Sequence, residues 1–137
     1  MPPNPFQTAP YPDMLTDLEK NAIRDHYRAI SENLPQFRPR AAQREMIAAV
    51  ANAFARSKPR AEGEEPPKRE GESIVVIEGP TGVGKSLSYL LAGGIMAQTR
   101  DKRLIVSSAT VALQEQLVNR DLPFLVEKSG LELTFAL

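Results

Sequence analysis

An α/β fold, a parallel sheet with flanking helices preceded by a helical segment, is what this sequence predicts, and three observations carry it. Two short β-branched or aliphatic runs, Ile74-Val75-Val76-Ile77 and Leu104-Ile105-Val106, alternate with helical stretches from Ile74 onward. A glycine-rich turn, Gly79 to Gly84, separates the first run from the helix after it. Ahead of both lie two stretches with apolar residues at three- and four-residue steps and no strand signal.

The elements follow in chain order. Met1 to Pro12 holds five prolines (Pro2, Pro3, Pro5, Pro10, Pro12) and reads as an extended arm. Thr16-x-x-Glu19 has the form of a capping box and opens a helix with an apolar stripe of Leu15, Leu18, Ala22, Ile23, Tyr27, Ile30 and Leu34. Pro35 stops it, and Pro39 keeps Arg38 extended, so Gln36 to Arg40 is a connector. A second helix is expected from Ala42 to Arg56 with Met46, Ile47, Val50 and Phe54 on its buried side. Ser57 to Glu72 is Pro, Gly and charge, a composition that need not fold. Then come a strand at Ile74–Ile77, a helix from Lys85 or Ser86 to Gln98, a strand at Leu104–Val106, a helix capped by Thr110, and a third strand over Leu131–Leu137. Strand, helix, strand, helix, strand predicts a parallel sheet with right-handed crossovers.

The turn between the first strand and its helix carries chemistry. Gly79-Pro80-Thr81-Gly82-Val83-Gly84-Lys85-Ser86 fits G-x-x-x-x-G-K-[ST] without a mismatch. Glycines let the backbone curl so that its N–H groups point at phosphate oxygens. Lys85 is placed to reach the β- and γ-phosphates, Ser86 to complete a Mg²⁺ shell, and the following helix to aim its positive end at the same anion. The pattern arises by chance in about one chain in two hundred of this length, and here it also stands directly after a strand signal and before a helix. The expected fold is therefore a P-loop NTPase, RecA-like sheet, incomplete within these residues. The expected catalytic residues are Lys85 and Ser86, with Ser86 the metal ligand.

Composition narrows the rest. The 137 residues are 42% hydrophobic and 25% charged with a formal net charge of zero, ordinary for a globular domain. Zero net charge neither supports nor opposes nucleic-acid binding, which needs only a local basic face. No cysteine is present, which excludes disulfides, thiolate zinc sites and iron–sulfur ligation within these residues. The longest apolar stretch, Tyr89 to Ala97, is far short of the roughly 20 residues that cross a bilayer. The start is not a signal peptide, and a cytoplasmic, monomeric protein is expected.

Four stretches sharpen the class. Arg40-Ala41-Ala42-Gln43, Glu78 to Ala92 (EGPTGVGKSLSYLLA), Ser107 to Gln114 (SSATVALQ) and Asn119 to Leu125 (NRDLPFL) together resemble the bacterial DinG helicases, superfamily 2 motors of the XPD-like, iron–sulfur-containing group. The resemblance runs from Asp25 to Leu137 apart from the charged loop. It implies ATP-driven 5′-to-3′ unwinding of DNA by a longer parent, in repair or replication. It implies that Gln43 belongs to an adenine-sensing motif, with Arg40 and Phe37 beside the base, although Gln43 on spacing alone is as well read as a polar residue at a helix start. It implies that Ser107, Ser108, Thr110 and Gln114 grip the backbone of single-stranded DNA, while on sequence alone Thr110 is first a helix cap. Ser86 where threonine is common keeps the hydroxyl, and Ala42 stands where some relatives carry proline.

Domain boundaries follow: an arm over 1–14, helices with the adenine-sensing motif over 15–56, a charged loop over 57–72, and the first part of the ATP-binding domain over 73–137. Hydrolysis in this class needs an acidic pair of DEAH type, and no Asp-Glu dipeptide follows the phosphate loop. Phe124-Leu125-Val126-Glu127 imitates one but follows Pro123 within a helix signal. The sequence is thus expected to be the N-terminal part of a helicase, binding nucleotide without unwinding, its [4Fe-4S] cluster held elsewhere in the parent. Two other classes stay open: another P-loop ATPase acting on DNA, such as a loader or repair clamp, and a non-catalytic nucleotide-binding module that docks through Tyr27, His26 or the arm.

Overall fold

The computed structural model describes residues 14–57, 63, 73–80, 82 and 84–137. The arm predicted over 1–14 and the charged loop over 57–72 lie almost wholly outside the described residues, as do Thr81 and Val83 of the glycine-rich loop. What is described is helical: α1 (Asp17–Asn33), α2 (Ala41–Arg56), α3 (Lys85–Thr99), α4 (Val111–Gln116), a π-helical turn (Leu117–Asp121) and α5 (Leu122–Ser129).

Local chemistry explains where these begin and end. Thr16 accepts from the Glu19 backbone N–H at 3.1 Å and Glu19 Oε2 accepts from the Thr16 N–H at 2.9 Å, a complete capping box at the start of α1. Leu34, held extended before Pro35, closes that helix. α3 ends with Asp101 in the left-handed region at φ 50° and Lys102 N–H donating to the Ala97 carbonyl at 2.8 Å. α5 ends at left-handed Gly130, φ 70°.

α2 packs along α3, and α1 crosses α3 and reaches α5. Ile30, Met46, Ile47, Val50, Ala51, Leu90, Leu91, Ile95, Met96, Leu125 and Leu131 form the core between them. Leu18, predicted in the α1 stripe, is exposed, and Phe54, predicted on the buried side of α2, is 39% exposed. Under the α1–α3 crossing lies a buried ion pair. Arg100 binds Glu19 through Nε at 2.7 Å and a terminal nitrogen at 3.1 Å, and donates also to the carbonyls of Ala55 and Met14. Burial pushes the Glu19 carboxyl up, but the hydrogen bond and charge of Arg100, with the Thr16 contacts, outweigh it and hold the group below its ordinary value. His26 Nδ1 stands 2.8 Å from the Ser129 carbonyl, which can only accept, so that nitrogen carries the proton. Together with Asn33 donating to the Lys128 carbonyl, it ties α1 to the end of α5.

The parallel-sheet P-loop NTPase fold expected from the sequence is overturned. Among the described residues there is no strand and no sheet, and Ile74–Ile77, Leu104–Val106 and Leu131–Leu137 carry no regular secondary structure. A β-branched run disfavours helix and suits a pleated surface, but a strand exists only through ladder hydrogen bonds to a neighbour, which no run of four residues specifies by itself. Val76 is 92% and Ile105 87% exposed, the reverse of a strand buried on both faces. The right-handed crossovers inferred from the element order fall with the sheet. The helices inferred on either side of these runs are present.

Candidate functional site

The glycine-rich loop enters α3 through two left-handed residues. Gly82 has φ 88° and Gly84, the N-cap of α3, φ 84° and ψ 47°. Residues with a Cβ rarely adopt that region, so glycine is favoured by the backbone at both positions. At Gly84 a Cβ would also run into the side-chain amide of Gln43, which would have to move aside. At the other end a Cβ on Gly79 would press on Met46 Cε at 3.3 Å. The loop therefore lies directly on α2, whose first turn carries Gln43 and whose second carries Met46.

Charged and polar groups converge on it. Lys85 is exposed and donates from Nζ to the Gly79 carbonyl at 2.9 Å, closing the loop on itself. Arg40, the residue before α2, donates from its guanidinium to the Gly82 carbonyl. Ser86 is half-buried in the first turn of α3, and Ser88 is buried and donates to the Gly84 carbonyl at 2.8 Å. Behind the loop, the Tyr27 hydroxyl donates to Gln43 Oε1 at 2.7 Å, and the Tyr27 ring meets Phe37 edge-on at 5.8 Å. Burial raises the Tyr27 phenol above its ordinary value, partly offset by the Arg40 backbone and the Arg44 charge, so it stays a neutral donor.

Residues predicted from distant parts of the sequence are thus brought to one place: Arg40 and Gln43 from the start of α2, and Gly79, Pro80, Gly82, Gly84, Lys85 and Ser86 from the loop. Chemically the arrangement offers an exposed ammonium, a hydroxyl, and the first-turn N–H groups of a fifteen-residue helix, all suited to an anion. Ser86 offers a divalent cation a hydroxyl oxygen, and no group of three or more His, Cys, Asp or Glu stands together among the described residues. That fits Mg²⁺, which keeps waters and binds through substrate phosphates rather than a protein cage. Without cysteine the residues do not fit an iron–sulfur cluster.

The second predicted set clusters at the start of α4. Thr110 caps that helix, accepting from the Leu113 N–H at 3.3 Å, and Gln114 folds back to donate to the Ser108 carbonyl at 3.4 Å. Ser107 and Thr110 are exposed, and Ser108 is half-buried. Phe124 to Glu127 lies within α5 and cannot end a strand. Sequence reasoning missed Tyr27 as a neighbour of the loop. It stands sixteen residues before Gln43 on another helix, and only the packing of both helices against α3 brings the two side chains together.

No family model matches the chain. It is 47% identical over 111 residues, 81% of its length, to ATP-dependent DNA helicase DinG of Escherichia coli K12. It is 46% identical over 111 residues to the protein of that name from Salmonella typhimurium and 42% over 110 residues to that of Photobacterium profundum. Each match covers 14% of the relative, so the chain spans about one-seventh of the length of the curated relatives it matches. With such identity across four-fifths of its residues, the chain is homologous to a part of the proteins named ATP-dependent DNA helicase DinG.

Proposed function

We propose that this chain supplies the ATP-binding part of an ATP-dependent DNA helicase. The observation that carries the proposal is the loop itself: two left-handed glycines leading into α3, with Lys85 folded onto the Gly79 carbonyl. In the nucleotide complex Lys85 exchanges that carbonyl for the β- and γ-phosphate oxygens, a charged acceptor in place of a neutral one. The Ser86 hydroxyl would help hold Mg²⁺, which would supply charge neutralisation at the phosphates. Arg40 and Gln43 form the wall of the site on the α2 side. Ser107, Ser108, Thr110 and Gln114 contact the backbone of single-stranded DNA, since hydroxyls and backbone N–H groups at a helix start suit phosphate and read no sequence. Unwinding in the 5′-to-3′ direction belongs to the parent protein, and these 137 residues alone bind nucleotide without unwinding.

Equilibrium titration of ATP into the chain, with and without Mg²⁺, tests this. Mg²⁺ should tighten binding to the native chain and tighten it much less in Ser86→Ala. Binding that ignores both Mg²⁺ and Ser86 would remove the assignment. Filter binding of a single-stranded oligonucleotide tests the second site: Thr110→Ala and Gln114→Ala should each weaken it, independently of base sequence.

A further inference from the structure

We infer that Tyr27 is a positioning residue for the phosphate loop, acting through Gln43. Three observations meet at this point. The Tyr27 hydroxyl donates to Gln43 Oε1 at 2.7 Å, which fixes the amide so that its nitrogen end faces away from α1. That nitrogen packs so closely on Gly84 that a Cβ there would have to displace it. Gly84 in turn is the left-handed cap whose carbonyl starts the α3 ladder, accepting from the Ser88 backbone and hydroxyl.

An amide's two ends differ in hydrogen-bonding character, and rotation by half a turn would set an oxygen against the loop instead. Gln43 is only 4% exposed, so such a rotation finds no water to satisfy the displaced groups. The phenol is therefore the latch on the amide, and the amide is the backstop of Gly84. The edge-on packing of Tyr27 on Phe37 holds the phenol in turn. Because the chain acts on the loop backbone, its influence falls on the phosphates and is indifferent to the base.

The inference rests on the reading of Gly79–Ser86 as a triphosphate site, and the test separates the two. Dissociation constants of the 137-residue chain are measured for MgATP, MgGTP and inorganic tripolyphosphate, in the native protein, Tyr27→Phe, Gln43→Ala, the double variant and Lys85→Ala, beside thermal midpoints. Tyr27→Phe should weaken all three ligands by a common factor of about three to ten, the value of one hydrogen bond. It should add nothing further in the Gln43→Ala background. Loss for ATP alone would assign the phenol to base recognition and overturn the inference. So would unchanged constants with a lowered thermal midpoint, or losses that multiply in the double variant. If Lys85→Ala also leaves every ligand unaffected, the triphosphate reading fails and takes the inference with it; if only Tyr27→Phe is silent, the inference alone fails.

Discussion

The two faces of α3 differ sharply. Toward α1 and α2 the helix is sealed: Leu91, Ala92 and Ile95 are buried, and the Arg100–Glu19 pair closes the end. Among the described residues no buried side-chain nitrogen or oxygen lacks a hydrogen-bond partner. On the other face, Gly93 and Gly94 let Leu104, Leu131 and Leu133 approach closely, and beyond them opens a cavity of about 740 Å³ lined by Leu104–Val106 and Leu133–Leu137. There Ile105, Phe135 and Leu137 remain exposed. One face is a finished core; the other is apolar surface held by irregular backbone. The difference shows that burial on one side of a helix fixes the fold here, while apolar character on the other side does not by itself produce a sheet.

Substitutions on the two faces should break along that line. The largest effect is expected at the buried pair. Arg100→Ala strands the Glu19 carboxylate and should cost about 3–5 kcal/mol in urea unfolding, against much less for loss of an exposed pair such as Arg28–Asp25. Next comes Leu91→Ala, fully buried, at about 2–5 kcal/mol. Ile105→Ser, on the open face, should stay within about 0.5 kcal/mol or improve solubility, as should Val76→Ser at another exposed position. A loss as large as that of Leu91→Ala at Ile105 would show that the open face is a core after all.

Acid sharpens the same contrast. Glu19 is held below its ordinary value of 4.5, so its contribution is fully present above that value and is lost as pH falls through the lower folded-state value. Stability measured by urea unfolding should therefore fall as pH drops below about 4.5, and Glu19→Gln should flatten the pH dependence in that window. A smaller effect is expected at the α4 cap: Thr110→Ala should cost about 1 kcal/mol or less, since the helix start is exposed.

The helices were legible in the sequence and the sheet was not, for a physical reason. The α1 capping box, the stop at Pro35 and the Lys85 start of α3 are decided by groups within four residues of one another, and the structure has each of them. Ile74–Ile77 and Leu104–Val106 needed partners that local sequence does not name. Leu18 and Phe54 fit the helical period yet lie exposed, because period fixes a face and not what covers it. At the candidate site the glycines and Lys85 could be read from spacing, since the turn itself demands them. The link from Tyr27 to Gln43, and the buried Arg100 beneath Glu19, depend on how helices distant in sequence cross, and no motif encodes that.

The most direct test of the central claim is ATP affinity of the chain with Lys85 intact and with Lys85→Ala, measured by equilibrium titration beside the thermal midpoint. Lys85 is exposed and contacts only the loop carbonyl among its described hydrogen bonds, so the variant should fold as stably as the native chain. Native binding that falls at least tenfold in Lys85→Ala, with the midpoint unchanged, is the expected result, as befits a charge-assisted contact to phosphate. Equal affinity in both, or no affinity in the native chain, would contradict the account.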